Sequence, residues 1–193
     1  MMRIILASAS PRRRELLSLL GIDFEVVIPC IDETLGTGEH PPEFCARLSR
    51  EKALSIAQDH ADCLVIAADT VVVIEDSILG KPQDEDQAGA YLRMLRSRVH
   101  EVYTGYTVAC LIQDHITTKV VRTTVHFRDL SEEEIAWYVA TREPMDKAGA
   151  YALQGHGAAF IDRIDGSHTN VIGLPLSDLY NDLKTFDIKL KTL

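Results

Sequence analysis

The sequence predicts an α/β fold built on a mixed β-sheet with flanking helices. Two observations carry this. Short runs of β-branched and apolar residues alternate with stretches of helical periodicity along the chain, and two long β-rich runs stand back to back around a short polar turn. There is no internal repeat and no low-complexity segment, so the 193 residues are read as one domain, 1–193, large enough to bury a sizeable core.

The elements follow in order. RIILA at 3–7 reads as a short buried strand. The polar SAS turn leads to Pro11, which suits the first helical position, with Ser10 as its cap. That helix runs to about Leu20 and stops at Gly21. FEVVI at 24–28 is a second strand, followed by the acidic, Gly- and Pro-rich loop IDETLGTGEHPP. A helix from about Pro42 to Ala61 places Cys45, Leu48, Lys52 and Ile56 on one stripe. CLVIAA at 63–68 is a buried strand, and TVVVIEDSILG reads as strand, turn and short strand. Pro82–Leu95 is helical, with Asp84 and Gln87 spaced like a capping box. EVYTGYTVACLI and HITTKVVRTTVHF form the antiparallel pair, turning at Asp114-His115. Residues 130–139 are helical after Ser131. The glycine-dense AGAYALQGHGAAFI is mostly loop, ending in a strand, and LPLSDLYNDL is the last helix.

Composition narrows the function. The chain is 46% hydrophobic and 25% charged, with a formal net charge of -9, an ordinary globular balance. The acidity speaks against stable nucleic-acid binding but not against a local anion site. No run approaches the length of a membrane-spanning helix. The start MMRIILASAS is too short and polar for a secretory signal. Cys30, Cys45, Cys63 and Cys110 match no compact zinc pattern, so scattered thiols and a cytoplasmic setting are expected.

Against that acidity, LASASPRRRELL places Arg12, Arg13 and Arg14 in the first turn of a helix, where cations sit badly with the dipole. An anion arriving there would find backbone N–H groups, the Ser8 and Ser10 hydroxyls and guanidinium forks suited to phosphate. The same motif also occurs at plain helix starts facing solvent. Lys52 interrupts an apolar stripe, either snorkelling to water or pointing into a cleft. Lys81, in LGKP, is either solvated or a third basic group aimed at a polyphosphate. Asp69 directly follows CLVIAA, a strand end where α/β sheets bind ligands, or else it caps a turn. Asp32 and Glu33 are solvated loop acids or carboxylates for a hard cation beside substrate phosphates.

These segments together resemble the Maf family of nucleoside triphosphate pyrophosphatases. The matching stretches are LASASPRRRELL, the Asp32-Glu33 pair, EKA at 51–53, AADTVV at 67–72, LGKP at 79–82, the spacing of His100, Val102 and Thr104-Gly105, KAGAYALQG at 147–155 and NVIGLP at 170–175. The resemblance implies an extended mixed sheet with two lobes around a central cleft, of the Maf and inosine triphosphatase type. It implies hydrolysis of a nucleoside triphosphate to the monophosphate and pyrophosphate with a divalent cation, magnesium first and manganese second. By position, Asp69 is the implied proton acceptor. Glu33, Lys52 and Lys81 complete the implied catalytic set, with Glu33 and Asp69 as metal ligands and Ser8 and Arg13 on the phosphates. Arg12, Thr70 and Gln154 resemble the dTTP/UTP branch rather than the 7-methyl-GTP branch, implying pyrimidine nucleoside triphosphates as partners. A homodimer is implied too. Two departures stand out: Arg96-Ser97 where Ser-Gly is usual, and His168 where Tyr is common. The family's link to septum formation leaves a non-catalytic nucleotide-binding regulator as the alternative, and a phosphosugar or other phosphate-binding enzyme as a third reading.

Overall fold

The computed structural model describes residues 2–186 and 188. Strand β1 (Ile4–Ala7) leads to helix α1 (Pro11–Ser18), β2 (Glu25–Val27), α2 (Pro41–Ala57) and β3 (Leu64–Ile74). Then come β4 (Ser77–Leu79), α3 (Glu85–Leu95), β5 (Val99–Cys110), β6 (His115–Phe127) and α4 (Glu132–Ala140), and finally β7 (Ile161–Asp165), α5 (His168–Ile172) and α6 (Leu176–Leu183). One seven-stranded sheet has the order β2-β1-β3-β5-β6-β7, with β4 paired to β3. The sheet is mixed. β1 pairs in parallel with β2 and β3, whereas β3 with β4 and β6 with β7 are antiparallel. All four β1 residues are buried, as expected of an inner parallel strand covered on both faces.

The chain divides into two compact units. The first holds residues up to Asp69, then Thr104–Val121 and the chain from Gly173 onward. Its core joins Ile5 and Ala7 of β1 and Val65 and Ala67 of β3 to Ala53 and Ile56 of α2. The second holds Thr70–Tyr103 and Arg122–Ile172. Its core gathers Leu92 and Leu95 of α3, Ile135 and Tyr138 of α4, and the rings of Phe127 and Phe160. Burying such side chains contributes roughly 1.5–3 kcal/mol each.

The local chemistry explains the first turn. Ser10 is extended and its hydroxyl accepts from the Arg13 N–H at 3.4 Å, with Pro11 at the first helical position. Other boundaries depart from the sequence expectation. β3 does not stop before Asp69 but runs unbroken for 11 residues, because Thr70–Ile74 continue its β-branched pattern. Its reversal into β4 uses Glu75 and Asp76, both at positive φ (47° and 64°), which suits a two-residue hairpin. α3 begins at Glu85. Asp84 caps it by accepting from the Gln87 N–H at 2.8 Å, while the Gln87 side chain reaches back to the Gln83 N–H rather than to Asp84. Between β5 and β6 the chain makes a 3-10 turn over Leu111–Gln113 and reverses at Asp114 in the left-handed region, not at an Asp114-His115 pair. α5 was not expected; its five residues are too few to show a period.

Candidate active site

The site is built on the first unit. β1 pairs with β3 as far as Ala67, and β3 takes up β4 only at Val72. Asp69 falls in that interval, two residues beyond its parallel neighbour's last pair. It is therefore set at the end of β1 while lying inside β3, and its side chain is only 11% exposed.

Lys52 comes to it from α2. By helical spacing it shares a face with Leu48 and Ile56, and all three are buried. Its ammonium is not snorkelling. Nζ donates to Asp69 Oδ1 at 2.6 Å and lies 2.8 Å from Glu33 Oε1. A buried ammonium is tolerable only when paired in this way. Asp69 is as deeply placed as Lys52, whereas the Glu33 side chain is 58% exposed. The first contact is thus a buried ion pair and the second a partly solvated one.

The loop bearing Glu33 is held by its neighbours. Asp32 Oδ1 accepts from the Thr34 N–H at 2.9 Å and the Thr34 hydroxyl at 2.6 Å, closing a tight turn. The Thr34 hydroxyl and N–H hold the Asp32 carboxyl below its usual range. Arg47 of α2 donates to the Thr34 carbonyl at 3.0 Å and to Glu39 at 2.7 and 2.8 Å. Arg47 thus ties the loop to the helix that carries Lys52. Sequence reasoning passed over it, since its spacing from Glu51 marks an ordinary exposed i,i+4 pair.

At the start of α1 the buried Ser8 hydroxyl accepts from the Ser10 N–H at 3.1 Å. Arg13 is half-buried and donates from Nε to the Gly173 carbonyl at 2.8 Å, which fixes its fork. Burial lowers the Arg13 pKa; Asp69 and Glu33 pull it back up, and neighbouring Arg12 pushes it down. Arg13 therefore feels both carboxylates and the second guanidinium. The first unit brings Arg12, Arg13, Glu33, Lys52 and Asp69 into one electrostatic neighbourhood, with Ser8 in the turn between β1 and α1.

A further close contact supports α2. A methyl added at Gly105 of β5 would lie 2.3 Å from the Cys45 carbonyl oxygen and 2.7 Å from the Ala46 nitrogen. Strand and helix main chains touch there. Burial, with Asp69 adding to it, pushes the Cys45 thiol up to about 12, so it is an inert apolar group.

The second unit carries Thr70, Lys81 and Gln154. Thr70 is half-buried on β3, while Lys81 and Gln154 are exposed. The loop of Lys81 is tied to the segment of Gln154 by the Gly149 N–H, which donates to the Gly80 carbonyl at 3.0 Å. A methyl at Gly149 would meet Val72 at 2.9 Å, and its φ is 69°, so this crossing needs glycine. His100 is buried against Phe127 and Tyr151, with Nε2 2.7 Å from the Tyr151 hydroxyl. Burial pushes its imidazole down to about 3, with His126 adding to the effect.

The oxygens of Glu33 and Asp69 turn toward one cation, here the Lys52 ammonium. Two carboxylates, with water and phosphate oxygens completing the shell, are what a hard ion such as magnesium takes. No group of three or more His, Cys, Asp or Glu that could hold a metal occurs among the described residues. Among those residues, too, no helix is long and apolar enough to cross a membrane.

Fold and site together define an α/β protein of mixed sheet, with a buried lysine–carboxylate pair set beside an arginine-bearing helix start suited to phosphate. The chain belongs to the Maf family: the model described as Maf-like protein matches residues 3–186. It is 53% identical over 182 residues to a dTTP/UTP pyrophosphatase of Syntrophus aciditrophicus (strain SB), spanning 94% of this chain and 89% of that one. It is 46% identical over 188 residues to a dTTP/UTP pyrophosphatase of Bacillus cereus (strain B4264), spanning 97% of each. Among solved structures, a nucleoside-triphosphatase / dITP/XTP pyrophosphatase from Mycobacterium abscessus aligns over 95% of each chain, at a TM-score of 0.48 and 14% identity. At that distance it is a likeness and no more.

Proposed function

We propose that this chain is a nucleoside triphosphate pyrophosphatase that hydrolyses dTTP and UTP to the nucleoside monophosphate and pyrophosphate. The observation that carries the reading is the buried Lys52–Asp69 pair with Glu33 on the same ammonium, beside Ser8 and Arg13. Relatives that match nearly the whole chain carry that activity in their names.

In this reading the helix start, Ser8 and Arg13 bind phosphate oxygens, with Arg12 bracing the nucleotide. Asp69 accepts the proton of the water that attacks the α-phosphorus. The bond from that phosphorus to the bridging oxygen breaks, and pyrophosphate leaves. Lys52 orients Asp69 and, with Lys81, offsets charge on the phosphates. Glu33 and Asp69 would hold magnesium or, second, manganese. When bound, the ion neutralises phosphate charge and polarises the phosphoryl oxygens. Thr70 and Gln154 read the pyrimidine, since an amide both donates to and accepts from its edge. The protein acts in the cytoplasm as a homodimer and forms no stable complex with nucleic acid.

A non-catalytic regulator of septum formation is not favoured. It would have no use for a buried carboxylate paired to a lysine beside an anion site, and the named relatives are pyrophosphatases. A phosphosugar enzyme would accept no nucleobase. A panel of nucleoside triphosphates assayed with magnesium for pyrophosphate release tests all three. Release from dTTP and UTP, with 7-methyl-GTP poorly used, is expected; binding without turnover would leave the regulator, and indifference to the base would remove the branch assignment.

A further inference from the structure

The loop that carries Gln154 is assembled around a single carboxylate. Glu143 opens the 3-10 turn Glu143–Asp146 that follows α4, and its side chain is 17% exposed. Oε1 accepts from the Tyr138 hydroxyl at 2.9 Å and from the Gly157 N–H at 3.1 Å. Oε2 accepts from the His156 N–H at 3.0 Å and lies 2.8 Å from His156 Nδ1. A carboxylate offers about four acceptor positions, and all are used. Glu143 therefore has no acceptor left for substrate or metal.

The backbone is shaped to this group. Gly155 has φ 91°, and a methyl there would lie 2.7 Å from Glu143 Oε2. The chain passes directly against the carboxylate, on a course open to glycine alone. Upstream, the segment is held by the Gly149 N–H on the Gly80 carbonyl and by the Tyr151 hydroxyl on His100. Gln154 is exposed between these two sets of ties.

We infer that Glu143 is a positioning residue that sets nucleobase discrimination through Gln154, by holding residues 155–157 in the backbone course that presents the Gln154 amide. This rests on the reading of Gln154 as a reader of the pyrimidine edge. A carboxylate that only stabilised the fold would, when removed, slow every nucleotide alike. One that presents Gln154 changes the ratio between bases.

The loop also has its own reporter. Trp137 is the only tryptophan of the chain; it is half exposed and meets the His156 ring edge-on at 5.3 Å. Its emission follows the position of His156 without any substrate.

The test uses the full chain and the variants E143A, E143Q, Q154A and E143A/Q154A, each first checked for cooperative thermal unfolding. kcat/KM is measured for dTTP and dCTP, two single-ring substrates that differ at the base edge. E143A is expected to lower the dTTP:dCTP ratio by about 5- to 150-fold, the scale of one lost buried hydrogen bond. Q154A should lower it comparably, and the double variant no further than the larger single loss. E143Q should fall between, because its amide NH2 cannot accept from the loop; should E143A not fold, E143Q carries the comparison. Trp137 emission should change in E143A and not in Q154A. An unchanged ratio in E143A beside a lowered one in Q154A would overturn the inference and spare the role of Gln154. Losses that add in the double variant would overturn it as well. An unchanged ratio in Q154A removes the reading of Gln154 itself, and the route through it.

Discussion

Replacing Asp69 with Asn separates the chemistry of the site from its architecture. The side chain keeps its size, and an amide oxygen can still accept from Lys52 Nζ, which stands 2.6 Å from Oδ1. What is lost is the proton acceptor and the charge opposite Lys52. Removing one partner of a buried ion pair costs about 3–5 kcal/mol when the other charge is left stranded. Lys52 is not stranded, since Glu33 remains 2.8 Å away, although that partner is more than half exposed and screened. The stability loss should therefore be about 1–3 kcal/mol, or a fall in Tm of roughly 2–12 °C for a chain of this length. The rate loss should be larger. A positioned general base contributes about 10²- to 10⁴-fold, or roughly 2.7–5.4 kcal/mol of barrier at about 1.36 kcal/mol per tenfold. The assay is pyrophosphate release at saturating dTTP with magnesium, beside a thermal melt of the same preparation. A folded D69N with kcat within about threefold of wild type would refute the assignment of Asp69 as base.

Hydrolysis in ¹⁸O-labelled water should place the label in the nucleoside monophosphate and none in pyrophosphate; a nucleoside diphosphate as first product would place the attack at the wrong phosphorus. R47M removes the guanidinium that ties the Glu33 loop to α2. It should lower kcat/KM for dTTP about tenfold, about 1.4 kcal/mol, while the far-ultraviolet spectrum stays that of wild type. His100 gives a pH signature, because its folded pKa, about 3, lies below the unfolded value near 6.5. Stability from its burial is complete above about 6.5 and is lost as pH falls toward 3, by about 1.4 kcal/mol per pH unit within that window. The Tm advantage of wild type over H100Q should shrink between pH 7 and pH 4; a constant difference would contradict a neutral buried imidazole. Glu143 has the acid sense too. Burial raises its pKa, but bonds from His156, Gly157 and Tyr138 outweigh that and leave it lowered. The stabilisation from these Glu143 bonds is thus present above the usual carboxylate range and lost as pH falls through the depressed value, with Trp137 emission as the readout.

What could be read from the sequence was what local chemistry decides. The Ser10 cap and Pro11 start depend on neighbours within one turn, and both stand where the residues place them. The sequence leaves Lys52 between water and a cleft, because periodicity names a face and not what lies opposite it. Its partner Asp69 is 17 residues away, on a strand that only the sheet brings near. Arg47 and Glu51 have the spacing of an ordinary helical pair, and nothing local shows that Arg47 Nη2 also donates to the Thr34 carbonyl. Glu143 was hidden for the same reason. Two of its four bonds come from 13 and 14 residues further on, from backbone groups that leave no mark in residue identity. The glycine-dense run AGAYALQGHG was the clue available, since glycines permit close approach of the main chain to other groups.

The contact at Gly105 fixes a dimension of the site in a way no side chain does. Lys52 lies about two turns along α2 from Cys45, the residue whose main chain Gly105 touches. The height of the ammonium above the sheet is therefore gauged by two backbones in contact, as a machined part is referenced to a bare face. A side chain at position 105 would push the two main chains apart and carry Lys52 with them, however the leucines and alanines around the helix are packed.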